Sequence, residues 1–113
     1  IVPIKCGWLR FDLILLGMGD VGHTPSIFSN QLHLLNSDKI CEVAMHPQSG
    51  QKRVTLTGKA INQAARIVFL VTGEGKASRL NEIYFNRPVS SLLPAYHIPN
   101  ARWFVDRAAS SQF

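Results

Sequence analysis

Residues 11–28 read FDLILLGMGDVGHTPSIF, and the first six of them predict a strand buried on both faces, as in a parallel sheet. Three glycines follow this strand, and His23 comes directly after the last of them. Thr24 is suited to cap a helix, and Pro25 to stand in its first turn. The stretch therefore places a titratable imidazole on a glycine-shaped loop at the carboxyl end of a strand, where open α/β sheets bind ligands.

The composition fits one small folded domain spanning residues 1–113, and 46% of the residues are hydrophobic. Lys and Arg number 12 against 7 acidic residues, which gives a net charge of +5. These basic residues are scattered, and only Lys52 and Arg53 are adjacent. No basic stripe with interleaved aromatic residues is present, so a nucleic-acid partner is disfavoured. The charge suits a small anionic substrate instead.

Neither a membrane nor an oxidising compartment is indicated. The longest uncharged apolar run falls far short of the roughly 20 residues that span a bilayer. The two cysteines, Cys6 and Cys41, have neither the number nor the spacing of a disulfide framework or a metal site. We therefore expect reduced thiols in a cytoplasmic protein. The chain opens without Met and without a signal peptide, as if inside a domain.

Strands and helices alternate along the chain. The predicted strands are Phe11–Leu16, Ile40–His46, Arg53–Thr57, Ile67–Val71 and Arg102–Val105; the predicted helices are Thr24–Leu35, Lys59–Ala65, Glu74–Phe85 and one starting at Asp106. Residues 1–10 are expected to form an extended lead-in. This alternation predicts an α/β fold with a Rossmann-like parallel sheet flanked by helices. The first and fourth strands are aliphatic enough to be central, and the chain offers few neighbours for them, so we expect an incomplete sheet.

The glycine run fits the dinucleotide fingerprint G-x-G-x-x-G, with Asp38 or Glu42 at about the right distance beyond it. Two features argue against a dinucleotide site. His23 stands where the pyrophosphate-facing helix should begin, and Pro25 soon follows. The glycines could also serve a tight turn alone.

His23 is the candidate acid/base residue of this loop. An imidazole with a pKa near 6.5 can accept a proton from water at neutral pH. Asp20 could orient the imidazole, or it is an ordinary loop acid. The other three histidines lack this context, and we predict surface or structural roles for them: His33, His46 and His97.

A second candidate site lies in Thr72-Gly-Glu-Gly-Lys76, between a predicted strand and a predicted helix. Amide groups at a helix N-terminus together with an ammonium group can bind an anion. The segment is not a Walker A loop, because Leu70 replaces the first glycine and Ala77 the Ser or Thr. Arg53 could bind a phosphate or merely line a strand edge. A solvated Lys76 is the alternative.

Residues 17–28 resemble the signature G-[LM]-G-x-D-G-H-T-A-S-[LI]-F-P of 6-phosphogluconolactonases. The segments RVTLT from Arg53 and FLVTGEGKA from Phe69 resemble later motifs of the same family, in the same order. Residues 93–95 and 103–109 resemble its C-terminal end. Because the motifs are ordered and run over nearly all of the chain, the resemblance is far more specific than any one of them.

The resemblance implies hydrolysis of 6-phospho-D-glucono-1,5-lactone to 6-phosphogluconate in the oxidative pentose phosphate pathway, with no metal and no cofactor. His23 would activate the water that attacks the C1 carbonyl, with Asp20 beside it. Lys76 would hold the substrate phosphate, and Arg53 would have a similar role. The other substrate-binding positions implied are Gly19, Gly22 and Thr24.

Two departures from the family pattern stand out. Val21 replaces an Asp, so Asp20 would have to substitute for it. The family is also longer, and its N-terminal half carries a phosphate loop, S-G-G-S-T-P, that is absent here. We therefore expect the C-terminal part of one lactonase domain, with the N-terminal half in the same or a separate chain. A non-catalytic sugar-phosphate-binding relative is the alternative; deaminases of the same fold are disfavoured, because Gln31 replaces their catalytic Glu.

Overall fold

The computed structural model of the protein describes residues 2, 4–5, 7–20 and 22–113. Seven strands are present in these ranges: β1 (Ile4–Lys5), β2 (Trp8–Leu9), β3 (Ile14–Leu16), β4 (Cys41–Met45), β5 (Lys52–Leu56), β6 (Ile67–Val71) and β7 (Ala101–Val105). Two α-helices, α1 (Gly58–Asn62) and α2 (Ala77–Tyr84), accompany them. Four 3₁₀ segments complete the chain: Ser29–Leu35, Glu74–Lys76, Pro88–Leu92 and Pro94–His97.

A parallel three-stranded sheet in the order β3-β6-β7 forms the centre of the fold. Leu16 pairs with Phe69, and Phe69 pairs with Trp103, so the carboxyl ends of β3 and β6 meet at one edge. The strands predicted at Ile67–Val71 and Arg102–Val105 are confirmed, as is the prediction of a parallel α/β fold. Both segments that follow these carboxyl ends are thereby brought to the same side of the molecule.

One face of the sheet carries the main core. Leu16, Phe69 and Val71 are buried there, and Phe69 stacks on Trp103 with ring centroids 4.0 Å apart. The helices cover this face, with Ile61 of α1 and Leu80 of α2 in the same apolar cluster. Burial of such side chains stabilises the fold by about 1.5–3 kcal/mol each.

The opposite face of the sheet is bare. Leu13, Leu15, Leu70 and Phe104 are 50–61% exposed, although all four are large and apolar. The first strand, predicted over Phe11–Leu16, covers Ile14–Leu16 and is buried on one face only, because no helix among the described residues covers the second face. The outer edge of β3 is also unpaired within the described residues, so the expectation of an incomplete sheet is confirmed.

An antiparallel hairpin of β4 and β5 stands beside the sheet, with Ala44 paired to Arg53. Both strands match the predicted ones to within a residue at each end. Thr57 does not continue β5 but caps α1, where its hydroxyl accepts a hydrogen bond from the Ala60 amide at 3.2 Å. The expected extended lead-in contains a short antiparallel pairing of β1 with β2.

Several predicted helices are shorter in the structure. The helix predicted over Thr24–Leu35 is a 3₁₀ segment that begins at Ser29 and kinks at Gln31. A 3₁₀ turn precedes α2, so the helix predicted from Glu74 begins at Ala77. The segment after Asp106 forms turns rather than a helix. Within the described residues, no helix is long and apolar enough to cross a membrane.

Candidate functional site

The glycine loop after β3 is closed by its own backbone. The Gly19 amide donates to the His23 carbonyl at 3.0 Å, and the Gly22 amide donates to the Gly19 carbonyl at 2.9 Å. Gly22 has a φ of +81°, and a Cβ there would lie 2.9 Å from the Leu93 side chain. A Cβ on Gly19 would overlap the His23 ring. Glycine is therefore required at both positions for His23 to lie where it does.

Thr24 holds this loop rather than a helix. Its hydroxyl donates to the Gly17 carbonyl at 2.7 Å, and the residue is buried. The prediction that Thr24 caps a helix with Pro25 in the first turn is wrong, because the helical segment begins at Ser29. A dinucleotide site needs a helix N-terminus at the last glycine of the loop. The structure has none there, which disfavours that alternative.

The His23 imidazole is half-buried against Phe28, with ring centroids 4.7 Å apart. Burial lowers the pKa of His23 from its usual 6.5, and the positive charges of Lys76 and Arg53 lower it further. Asp20 acts in the opposite direction. The imidazole is therefore neutral at pH 7 and able to accept a proton.

The two ring nitrogens of His23 differ. Nδ1 is buried without a hydrogen-bond partner in the part of the chain that the structure describes. Nε2 is not enclosed in this way, and His23 lines an open cleft of about 330 Å³. The cleft is lined by Gly17, Met18, Gly19, His23 and Pro25. Nε2 is therefore the nitrogen that a molecule in the cleft can reach.

Lys76 reaches the glycine loop from the turn after β6. Its ammonium donates to the Met18 carbonyl at 2.6 Å and pairs with Asp20 Oδ1 at 3.0 Å. The structure thus joins the two motifs that sequence analysis singled out, which lie more than fifty residues apart. Gly73, with a φ of +95°, allows the tight turn that brings the lysine there.

Asp20 occupies a different place from the one suggested by the sequence. Its carboxylate pairs with Lys76, and no hydrogen bond joins it to His23 within the described residues. It therefore neutralises part of the Lys76 charge instead of orienting the imidazole. Val21, the residue at which the sequence departs from the family pattern, lies outside the described residues.

Arg53 approaches the site from β5. Its guanidinium lies over the Phe28 ring at 5.9 Å from the centroid. Nε and Nη2 donate to the Gln51 side-chain oxygen at 3.3 and 3.2 Å. Arg53 thus contacts the same buried ring that His23 contacts.

Two residues of this site were not predicted from the sequence to belong to it. Phe28 is the buried ring on which the site is assembled, and His46, predicted to be a surface or structural residue, meets that ring edge-on at 5.1 Å. The predicted strands on either side of the polar turn could have indicated His46. Antiparallel pairing of these two strands places the end of β4, where His46 lies, next to Arg53. No group of three metal-ligating side chains occurs among the described residues.

This arrangement surrounds a neutral imidazole with positive charge. The positive charges of Lys76 and Arg53 act on the pKa of His23 from different elements of the fold. Such a site can bind an anionic molecule and take a proton from a water held beside it.

The comparisons with known proteins agree with this geometry. Residues 4–105 match the family described as glucosamine-6-phosphate isomerases/6-phosphogluconolactonase. The 6-phosphogluconolactonase of Aggregatibacter actinomycetemcomitans is 42% identical over 104 residues, covering 88% of this chain and 44% of the relative. That of Treponema pallidum is 45% identical over 98 residues, covering 87% and 41%.

A solved structure shares the fold throughout. The crystal structure of a protein named devB superposes with a TM-score of 0.91 at 36% identity, covering 100% of this chain and 49% of that one. The chain thus spans less than half the length of these proteins. From the family match and the shared fold, we conclude that this chain belongs to the glucosamine-6-phosphate isomerase/6-phosphogluconolactonase family.

Proposed function

We propose that this chain is the His23-bearing part of a 6-phosphogluconolactonase, which hydrolyses 6-phospho-D-glucono-1,5-lactone to 6-phosphogluconate. The observation that carries the proposal is the neutral imidazole at an open cleft, close enough to Lys76 and Arg53 for their positive charges to lower its pKa. The names of the relatives support the same activity. In this proposal the site uses neither a metal nor a cofactor.

The proposed reaction begins with a water bound beside His23. Nε2 takes a proton from this water while its oxygen attacks the C1 carbonyl carbon of the lactone. The tetrahedral intermediate then expels the ring oxygen, which receives the same proton from the imidazolium. The products are a carboxylic acid at C1, which releases its proton to solvent to become the carboxylate, and a hydroxyl on the former ring oxygen, and His23 is neutral again.

Lys76 and Arg53 have the role of binding the substrate phosphate. Lys76 is held at the cleft by the Met18 carbonyl and by Asp20, and a phosphate dianion would compete with that carboxylate for the ammonium. Gly19, Gly22 and Thr24 contribute by fixing the loop on which His23 lies. The net charge of +5 favours the approach of a phosphorylated lactone.

The proposal includes a partner for the bare face of the sheet. The chain spans 41–44% of the length of the two relatives, and its sheet has an open edge at β3. We propose that the remaining half of a lactonase domain covers the exposed side chains of Leu15, Leu70 and Phe104. A cytoplasmic location is also proposed, and the exposed free thiol of Cys41 supports it. Cys6 lies outside the described residues.

The test is His23→Ala in the intact protein, with His33→Ala, an exposed histidine outside the site, as the control. We expect the rate of lactone hydrolysis to fall by about 10²–10⁴-fold in the first variant and to stay unchanged in the second. Binding of 6-phosphogluconate should persist in both. Full activity of His23→Ala would refute the proposed role.

A second candidate, a non-catalytic sugar-phosphate-binding protein, is favoured by one observation. For Nε2 to act as the base, the proton of the neutral ring must lie on Nδ1, and Nδ1 is enclosed without an acceptor in the described part of the chain. This candidate predicts 6-phosphogluconate binding by the intact protein without any lactone turnover. Measurable turnover that is lost in His23→Ala would exclude it.

A further inference from the structure

His46 is built into the site through the Phe28 ring. Phe28 is buried, and three side chains contact it: His23 at 4.7 Å, His46 at 5.1 Å and the Arg53 guanidinium at 5.9 Å, all measured to the ring centroid. These residues come from the glycine loop, the end of β4 and the start of β5. The Phe28 ring therefore contacts three side chains of types that can carry a positive charge.

The hydrogen bonds of His46 indicate which of its ring nitrogens carries the proton. Nδ1 accepts from the backbone amides of Gln48 and Ser49, both at 3.2 Å. A nitrogen that accepts hydrogen bonds carries no proton, so the proton of the neutral ring lies on Nε2. These bonds account for the part that His46 plays in the turn between β4 and β5.

The Nε2–H of His46 remains available. It has no hydrogen-bond partner within the described residues, and it is not among their enclosed polar atoms. Arg53 also has a donor without a partner. Its Nε and Nη2 donate to the Gln51 side-chain oxygen, whereas Nη1 has no partner in the described part of the chain. Two donors without acceptors among the described residues therefore belong to side chains that contact the same Phe28 ring as His23.

We propose that His46 is a substrate-binding residue whose Nε2–H, together with Arg53, donates to the phosphate oxygens of the bound sugar phosphate. This inference rests on the proposed function and adds His46 to the phosphate ligands proposed there, Lys76 and Arg53. His46 and His23 contact the same Phe28 ring, and His46 is among the residues that influence the pKa of His23, so the two imidazoles lie close together. His46 touches the ligand but takes no part in the proton transfer.

Two substitutions separate this role from the role of His46 in the turn. His46→Asn keeps an acceptor close to the position of Nδ1 and removes the outer donor. His46→Gln places an amide donor near the position of Nε2 and removes the inner acceptor. His33→Asn, on the exposed 3₁₀ segment, is the matched control. Each variant is made in the intact protein and measured for 6-phosphogluconate affinity and for lactone kcat and KM.

We expect His46→Asn to weaken 6-phosphogluconate binding and to raise KM by about tenfold, because a hydrogen bond to a charged group is lost. kcat should change by less than about twofold, since the proton transfer is untouched. His46→Gln should bind more tightly than His46→Asn. A role confined to the turn predicts the reverse order, and equal affinities for all variants would likewise overturn the inference. If the wild-type protein neither binds 6-phosphogluconate nor hydrolyses the lactone, the proposed function falls as well.

Discussion

The protonation state of His23 is governed by surroundings that no single stretch of sequence contains. The ring is half-buried against Phe28. Lys76 extends to the glycine loop from the turn after β6, and Arg53 extends to the Phe28 ring from β5. Burial and positive charge both disfavour the imidazolium form, so the pKa lies below 6.5. A base with such a pKa is mostly unprotonated at pH 7.

The first prediction concerns this pKa. A histidine NMR titration should give a midpoint for His23 below 6.5, and the acid limb of lactone hydrolysis should follow the same midpoint. Lys76→Gln removes a positive charge and should raise the pKa of His23, whereas Asp20→Asn should lower it. Lys52→Gln is the control, because Lys52 is not among the charges that act on His23. Shifts of equal sign in the first two variants would contradict this account.

The second prediction concerns Gly19. A Cβ at this position would overlap the His23 ring, which is only half-buried and would have to turn away. We expect Gly19→Ala to reduce lactone hydrolysis by about 10²-fold, because the base loses its position. Gly17→Ala is the matched control, since a Cβ there meets nothing within 4 Å. Equal rates in the two variants would show that the position of the ring does not matter.

The site residues show what a sequence can and cannot reveal. His23 and Lys76 were predictable, because each follows a recognisable strand and glycine turn. The pairing of Asp20 with Lys76 was not, since a contact between distant segments depends on where two loops fold back. His46 was missed for the same reason, because its contact with Phe28 requires the hairpin to lie against the glycine loop.

At the scale of elements, the strands were predicted better than the helices. β4, β5, β6 and β7 lie where aliphatic or alternating residues predicted them, because strand patterns are read from a few adjacent positions. The helix predicted from Thr24 fails because the Thr24 hydroxyl binds the Gly17 carbonyl instead of a helix amide. Side chains that could cap a helix can also close a loop, and only the tertiary fold selects between these roles.

The third prediction concerns Thr57, which joins the hairpin to α1. Its hydroxyl accepts from the Ala60 amide at 3.2 Å and donates to the Lys39 carbonyl at 2.7 Å, and the residue is fully buried. We expect Thr57→Ala to lower the free energy of unfolding by about 1–2 kcal/mol, as measured by urea denaturation of the intact protein. Thr57→Ser retains both hydrogen bonds and should lose clearly less. An equal loss for the serine variant would mean that the methyl group, not the cap, stabilises the junction.

At the scale of the whole molecule, the sheet has one covered and one bare face. Sequence analysis predicted strands buried on both sides, and the structure shows that this chain supplies helices for only one of them. The apolar outer positions of β3, β6 and β7 fit the proposal that the rest of a lactonase domain covers this face.

The fourth prediction tests this layer. Phe104→Lys should lower the free energy of unfolding of the intact protein by at least about 2 kcal/mol, because a charge would be buried at the proposed interface. Leu92→Lys is the control, since Leu92 is similarly exposed at 59% but lies away from the sheet. Urea denaturation of both variants gives the comparison. Equal and small effects would show that the face around Phe104 stays open to solvent.

The open edge of β3 has a practical consequence. The groups proposed to react and to bind phosphate lie on this chain, while the strands that would pair with the open edge of β3 are proposed to belong to the other half. A protein divided just before this chain would behave as a split reporter: each fragment silent by itself, and lactone turnover restored when two fused binding partners bring the fragments together.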